Sequence, residues 1–362
     1  MLSFKEMAVK LKCNVNCDFP DDFPISDELK LGFSNIEIRD GLKGLSNLLI
    51  QVFDVLITEA SNFSSHEKNT VNSRGHTNIY PEMKNLLTFL YCIGYCGKLD
   101  KTSEYLVFDG KKLNDFYKKT RGNKPLDYMH LLHDAGLDFS SAIDEKSFIL
   151  AKAGSVEVCF PDDRNALIGL KVLANATSRI NREPYMADVM FTFARCDYHV
   201  LSKTKTYIYE INEVTGFLPE DMRKYYIDLH NHLIANNCKY ESKINMNEYQ
   251  FSYTSKHKKA KIFSIHISMD HSYVKLNSKL ITENPDLLTD APESIKTAVK
   301  NGWDCAKKND PNACNPKCAG KALIFNLAGT EFFKCWILNF NLPVNEKNER
   351  DYINIWLNKE LA

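Results

Sequence analysis

The chain has 362 residues, 44% of them hydrophobic and 25% charged, which is ordinary for a soluble globular protein and long enough for two or three domains with their own cores. Lysine plus arginine and aspartate plus glutamate number 46 each, so the net charge is zero. No overall field therefore draws the chain to nucleic acid or to an anionic membrane.

The first residues, Met1 to Lys12, alternate charged and apolar side chains and lack the apolar core and cleavage site of a signal peptide. The longest nearly uncharged apolar run, Leu86 to Cys96, is well short of the roughly 20 residues that cross a bilayer. The eleven cysteines are an odd number in a long chain without an export signal, so they read as reduced thiols or metal ligands in the cytoplasm. A composition heavy in Lys, Asn and Ile points to a low-GC bacterial source.

Residues 1–40 carry no clear periodicity and are expected as a lead-in packed on the body. A helix is expected over about Asp40 to Glu59, where Leu42, Leu45, Leu48, Val52 and Leu56 recur at helical spacing. Ser61 to Tyr80 is polar and aperiodic and reads as a mobile loop. Pro81 opens a helix that Gly97 ends, and a short strand, Glu104 to Phe108, follows. Pro125 opens the next helix, Leu126 to Ala135. Two strands, Phe148 to Ala153 and Ser155 to Phe160, then a helix Arg164 to Ile180 capped by Asp162 or Asp163, and a β-rich stretch, Met186 to Leu201, complete that unit.

The last segment repeats this outline. Pro219 opens a helix striped by Met222, Tyr226, Leu229 and Leu233. A hairpin of Tyr249 to Thr254 and Ile262 to Ser268 turns through the basic run Lys256 to Lys261. A helix from Ala291 to Lys308, capped by Asp290, leads to strands Ala322 to Leu327 and Phe332 to Phe340. The final helix, Glu349 to Leu361, buries Tyr352, Ile353 and Trp356. The expected class is α+β: two related helix–hairpin–helix–strand units with antiparallel sheets, behind a helical N-terminal region. The segments are 1–122, 123–215 and 216–362, and the shared order suggests a diverged duplication.

Chemistry is hinted at in one stretch. Cys305, Cys314, Cys318 and Cys335 follow a C-x8-C-x3-C-x16-C pattern in a chain bent by Pro311 and Pro316. Four thiolates suit tetrahedral zinc, and a site filled by four sulfurs would be structural rather than catalytic. The spacing departs from the paired C-x2-C knuckles of common zinc sites, and buried or surface thiols without metal are the competing explanation. Two further C-x3-C pairs, Cys13/Cys17 and Cys92/Cys96, read as packing.

Among the histidines, His130 and His133 share a helix face with Asp127, a polar flank lacking a further ligand. His230 and His232 are two apart and point different ways on a helix. His266 shares a strand face with Ser264 and Ser268, with His271 just beyond, as the polar lining of a cleft or as a solvent-facing strand. The sequence holds no G-x-S-x-G, no Walker loop, no G-x-G-x-x-G and no H-E-x-x-H.

The function expected on these grounds is non-enzymatic: a cytoplasmic small-ligand-binding or regulatory protein with a structural four-cysteine zinc site. The partner would be a small molecule, not nucleic acid or membrane. The rival expectation is an enzyme with a cysteine/histidine site assembled between the two α+β units.

Overall fold

The fold was obtained as a computed structural model that describes residues 2–63, 80–120, 124–140, 148–179, 187–202, 208–245, 248–269, 271–276, 280–305, 322–335 and 340–362. It is mixed helix and sheet, as expected, and divides into two compact units, Met1–Tyr207 and Ile208–Ala362. The division differs from segments 1–122, 123–215 and 216–362. A helix of the second segment packs along a helix of the first, which joins them into one unit.

The first unit contains helices α1 (Phe4–Asn14), α2 (Asn35–Thr58), α3 (Ala60–Phe63), α4 (Pro81–Cys96), α5 (Gly110–Lys119), α6 (Pro125–Asp134), α7 (Asn165–Thr177) and α8 (Ala187–Ala194). Capping boxes start α1 and α2: Ser3 with Glu6, and Ser34 with Glu37. The lead-in is thus a helix with Phe4, Met7, Ala8 and Leu11 buried. In α2 the expected stripe is buried along its length. By length and hydropathy α2 would pass for a membrane span, but 56% of that window is buried inside the unit. It is a core helix here.

The centre of the unit is a contact of α7 with α2 and α4 that leaves no room for side chains. A Cβ on Gly41 would lie 2.7 Å from the Gly169 nitrogen, and one on Gly169 would overlap the Gly41 carbonyl. From α4, a Cβ on Gly94 would lie 2.6 Å from the Leu170 carbonyl oxygen. Glycine is required where backbones meet like this. Beside the helices, β1 (Leu106–Asp109), β2 (Asp138–Phe139) and β3 (Ser155–Cys159) form an antiparallel sheet in the order β1-β3-β2.

Two expected strands are not strands. Leu150–Lys152 is a 3-10 turn lying on α5, and Gly110 of α5 approaches the Leu150 carbonyl so closely that a Cβ would lie 2.6 Å from it. Within Met186 to Leu201, the described part is α8 followed by the 3-10 helix Tyr198–Leu201. The apparent alternation there carries no face, because Met190, Phe191, Thr192, Phe193 and Ala194 are all buried. With these two corrections α6, the antiparallel β2–β3 pair and α7 keep a helix–hairpin–helix order, and α8 stands where the closing strand was expected. The expected loop Ser61 to Tyr80 lies mostly outside the described residues.

The second unit is built on a five-stranded antiparallel sheet in the order β10-β7-β6-β5-β4. Its strands are β4 (Cys238–Asn245), β5 (Glu248–Ser255), β6 (Ala260–Ser268), β7 (Ser272–Leu276) and β10 (Phe340–Pro343). The expected hairpin is β5–β6. One face carries Phe251, Tyr253, Phe263, Ile265, Val274 and Leu342, all buried. Helix α10 (Glu220–Ala235), after the short α9 (Ile211–Val214), covers this face with Met222, Tyr226, Leu229, His230 and Leu233.

After α11 (Leu280–Glu283) comes α12 (Glu293–Lys300), shorter than the expected Ala291 to Lys308; its start is set by Pro292, with no side-chain cap from Asp290. It stops at Asn301–Gly302, and the buried Lys334 ammonium donates to the Lys300 carbonyl (2.5 Å) and the Gly302 carbonyl (2.8 Å). A cation on the last carbonyls stabilises a helix end. Lys334 belongs to the two-stranded ribbon β8 (Leu323–Leu327) and β9 (Thr330–Lys334). The final helix, α13 (Lys347–Leu361), buries Tyr352, Ile353 and Trp356 as expected. It is tied to α10 by His232–Asn358 (2.8 Å) and to the basic hairpin turn by Lys258–Glu360 (3.3 Å).

Candidate functional site

The other face of the five-stranded sheet is polar, and its composition follows from register. Residues opposite one another across a ladder project to the same side. One cross-strand row runs Lys243, Gln250, His266, Tyr273, and the next runs Glu241, Ser252, Ser264, Lys275, Asn341. Glu248 and Ser268 form a further pair on this side. Ladder spacing thus places polar groups from five strands on one surface.

At its centre is a buried hydrogen-bonded network. Glu248 Oε1 lies 2.6 Å from His266 Nδ1, and Glu248 Oε2 accepts from the Tyr273 hydroxyl at 3.0 Å. His266 Nε2 lies 2.9 Å from Ser264 Oγ. An ionised Glu248 can only accept, which places the imidazole proton on Nδ1 and leaves Nε2 to accept from Ser264. Tyr273 stacks on His266 with ring centres 4.5 Å apart and planes 11° apart. On its other flank His271 also stacks on Tyr273, at 5.5 Å. His271 is linked back to the sheet by its backbone N–H, which donates to Ser268 Oγ at 3.3 Å. Glu248 and His266 are 4% and 3% exposed, so the pair is held out of bulk water.

Burial pushes the His266 pKa down, more strongly than the Glu248 hydrogen bond and charge push it up; Lys275 and Lys261 push it down further. His266 is therefore neutral at neutral pH and has a fixed tautomer. The carboxyl–imidazole–hydroxyl order is chemically the order of a general-base relay, in which an oriented imidazole takes a hydroxyl proton. Ser264 is only 1% exposed, however, so the hydroxyl is closed to an attacking geometry. What the network does in this state is hold three strands in register and fix the geometry of the buried polar groups between them.

The sequence located His266, Ser264 and Ser268 but not Glu248 or Tyr273. Of the four cysteines expected to bind metal, Cys305 and Cys335 are brought onto neighbouring chain segments. Cys305 N donates to the Phe333 carbonyl (2.9 Å) and Cys335 N donates to the Trp303 carbonyl (2.8 Å), around the bridge Asp304–Lys334. The Asp304 and Lys334 side chains meet at 2.8 Å, so they share one face and the two cysteines alternate to the opposite face. Cys314 and Cys318 lie outside the described residues. Among the described residues no three His, Cys, Asp or Glu side chains converge in a metal-holding group.

The remaining candidates are structural. His133 Nδ1 lies 3.3 Å from the Leu137 carbonyl at the end of α6. His230 turns inward to the Tyr253 hydroxyl at 2.8 Å, while His232 turns outward to Asn358, so the two diverge as expected. Cys92 and Cys196 are fully buried; burial pushes the Cys196 thiol up to about 12. Next to Cys196, the buried Arg195 and Asp197 approach to 3.5 Å, and Asp197 holds His199 Nδ1 at 2.7 Å. The Arg195 carbonyl accepts from the Asn16 nitrogen at 2.8 Å, so this charged turn pins the chain that follows α1. No family model, curated protein or solved structure matches the chain.

Proposed function

We propose that the chain is a cytoplasmic, non-enzymatic small-ligand-binding or regulatory protein, with its ligand on the polar face of the five-stranded sheet. The observation that supports this is the Glu248–His266–Tyr273 network, a set of buried polar groups hydrogen-bonded to one another on the polar face of the sheet. Buried polar networks are costly unless satisfied, and they fix geometry when they are. Ligand sites use such fixed groups beside adaptable ones, here Gln250 and Ser252, which are half-buried and 3.2 Å apart. Nucleic acid and membrane are not among the proposed partners. A thermal-shift screen against metabolites tests the proposal: compounds that raise the melting temperature of the protein, and do so less for Glu248→Gln, support it. A screen in which nothing raises stability removes it.

We also propose a structural zinc site with four cysteine ligands, Cys305, Cys335, Cys314 and Cys318. Its support is that Cys305 and Cys335 alternate to one face of the same ribbon and are half-exposed free thiols. One zinc per chain, with four thiols that become reactive only after chelation, is the expected result of metal analysis and thiol titration. Metal-free protein with four freely reactive thiols contradicts it. The enzyme alternative, a cysteine/histidine site, has less support: Cys17, Cys196 and Cys238 direct their sulfurs to backbone carbonyls rather than to histidines.

A further inference from the structure

The sheet of the second unit ends on β4, an edge strand eight residues long that contains no proline and pairs with β5 without a bulge. Among the described residues no backbone group bonds to its far side. Edges are ordinarily kept short, bulged or interrupted by proline, because a row of open N–H and C=O groups accepts another strand. The side chains leave this edge accessible. Lys239, Glu241 and Lys243 are exposed on one face of the strand, and Tyr240, Ser242 and Ile244 are half-buried on the other.

Lysines on an edge usually repel an approaching strand. Here they alternate with Glu241, which makes β4 complementary to itself. Two copies pairing antiparallel are related by a two-fold axis that passes through one residue or between two. An axis between two residues sets the charged face of one copy beside the apolar face of the other. An axis on Glu241 opposes Glu241 to itself and Lys239 to Lys243, all like charges. An axis on Tyr240 runs out at Cys238, because Asn237 beyond it has a left-handed φ of 58°. An axis on Ser242 satisfies both faces: Glu241 meets Lys243 twice, and Tyr240 meets Ile244 twice. A separate observation marks the same point. The Tyr209 N–H donates to Ser242 Oγ, and Ile208 immediately before it is 53% exposed.

We propose that β4 is a self-association edge, on which a second copy of the chain pairs antiparallel about an axis on Ser242. The two five-stranded sheets then form one continuous sheet. Backbone bonds fill the open edge, two Glu241–Lys243 pairs form on one face, and the Tyr240–Ile244 contacts form on the other. The two Ile208 residues come together near the axis. One paired edge is a small interface, so the dimer is weak, with a Kd on the order of 10 µM. The proposal does not depend on what the polar face of the sheet binds.

Sedimentation velocity of the whole chain between about 1 and about 100 µM tests it, and the parent is expected to pass from monomer to dimer across that range. Glu241→Lys and Lys243→Glu each turn two attractions into two repulsions, and each is expected to weaken the dimer about tenfold or more. Mixed in equal amounts, the two variants are expected to recover it, because opposite charges then face one another at both positions. Recovery also shows that both variants fold. The doubly reversed chain, Glu241→Lys with Lys243→Glu, is expected to dimerise like the parent. A Lys243→Glu chain that dimerises like the parent overturns the proposal, since the axis is then not on Ser242. So does failure to recover on mixing, between variants that melt like the parent, or a doubly reversed chain that stays monomeric. A parent that is monomeric at about 100 µM overturns the second copy as occupant and leaves the edge to a strand from another protein.

Discussion

Glu248 is the residue on which the polar network turns, and replacing it separates a working hydrogen-bond hub from a passive surface residue. In Glu248→Ala, His266 Nδ1 and the Tyr273 hydroxyl, now 2.6 and 3.0 Å from its oxygens, lose their partner while remaining buried. Each orphaned polar group costs about 1–3 kcal/mol, so a total of roughly 3–5 kcal/mol is expected. Glu248→Gln keeps the volume and one acceptor and is expected to cost about half as much. All three tryptophans, Trp303, Trp336 and Trp356, lie in the second unit, so urea unfolding followed by tryptophan fluorescence reports on that unit alone. The pH dependence adds an independent handle. The folded His266 pKa is lowered, so below the unfolded value of about 6.5 the unfolded chain binds a proton that the folded one does not. Stability from this group is complete above that pH and is lost as pH falls toward the folded pKa, at up to about 1.4 kcal/mol per pH unit. His230, also lowered by burial, adds in the same sense. In Glu248→Gln the charge that raises the His266 pKa is gone, and the loss is expected to continue to lower pH. An alanine variant within about 1 kcal/mol of the parent, with an unchanged pH profile, would refute the network.

Gly169→Ala is expected to destabilise the first unit by about 3 kcal/mol or more, since the added Cβ would overlap the Gly41 backbone and must part α2 from α7; circular-dichroism melts against an exposed control such as Gly154→Ala, which meets nothing, measure it. Lys334→Met is expected to cost about 2 kcal/mol, because two carbonyls at the end of α12 lose a buried charged donor while the exposed Asp304 loses little; urea unfolding by tryptophan fluorescence checks it. Among the cysteines, Cys13 is expected to be alkylated in the native protein, and Cys92 and Cys196 only on unfolding, since burial raises both thiols and excludes reagent; mass spectrometry of pulse-labelled protein distinguishes them.

Long elements with a clear period were legible in the sequence. The α2, α4, α7, α10 and α13 helices and the β5–β6 hairpin all stand where apolar spacing and proline positions put them. The failures have physical causes. α8 is apolar all round because it is buried all round, so its sequence carries no face to distinguish helix from strand. β4 and β7 give no strand signal because Lys239, Glu241, Lys243 and Lys275 lie on their polar face and Ser242 and Ser272 interrupt their apolar one, so both read as loop. The site was half legible for a related reason. Counting back along the hairpin from the turn pair Ser255–Ala260 would set Glu248 opposite Ile267, on the apolar face. A bulge between Tyr253 and Thr254 shifts the register by one and sets Glu248 opposite Ser268, on the side of His266. Tyr273 enters through β7, whose pairing no local pattern announces.

The most direct measurement is the histidine Cε1–H spectrum of the whole protein, with the His266 signal assigned by His266→Gln. It is titrated with each metabolite that raises the melting temperature. A ligand on the polar face of the sheet shifts His266 saturably and leaves His130 and His133, on α6 of the other unit, in place. A stabilising compound that moves those histidines and not His266 would contradict the assignment of the ligand to this face.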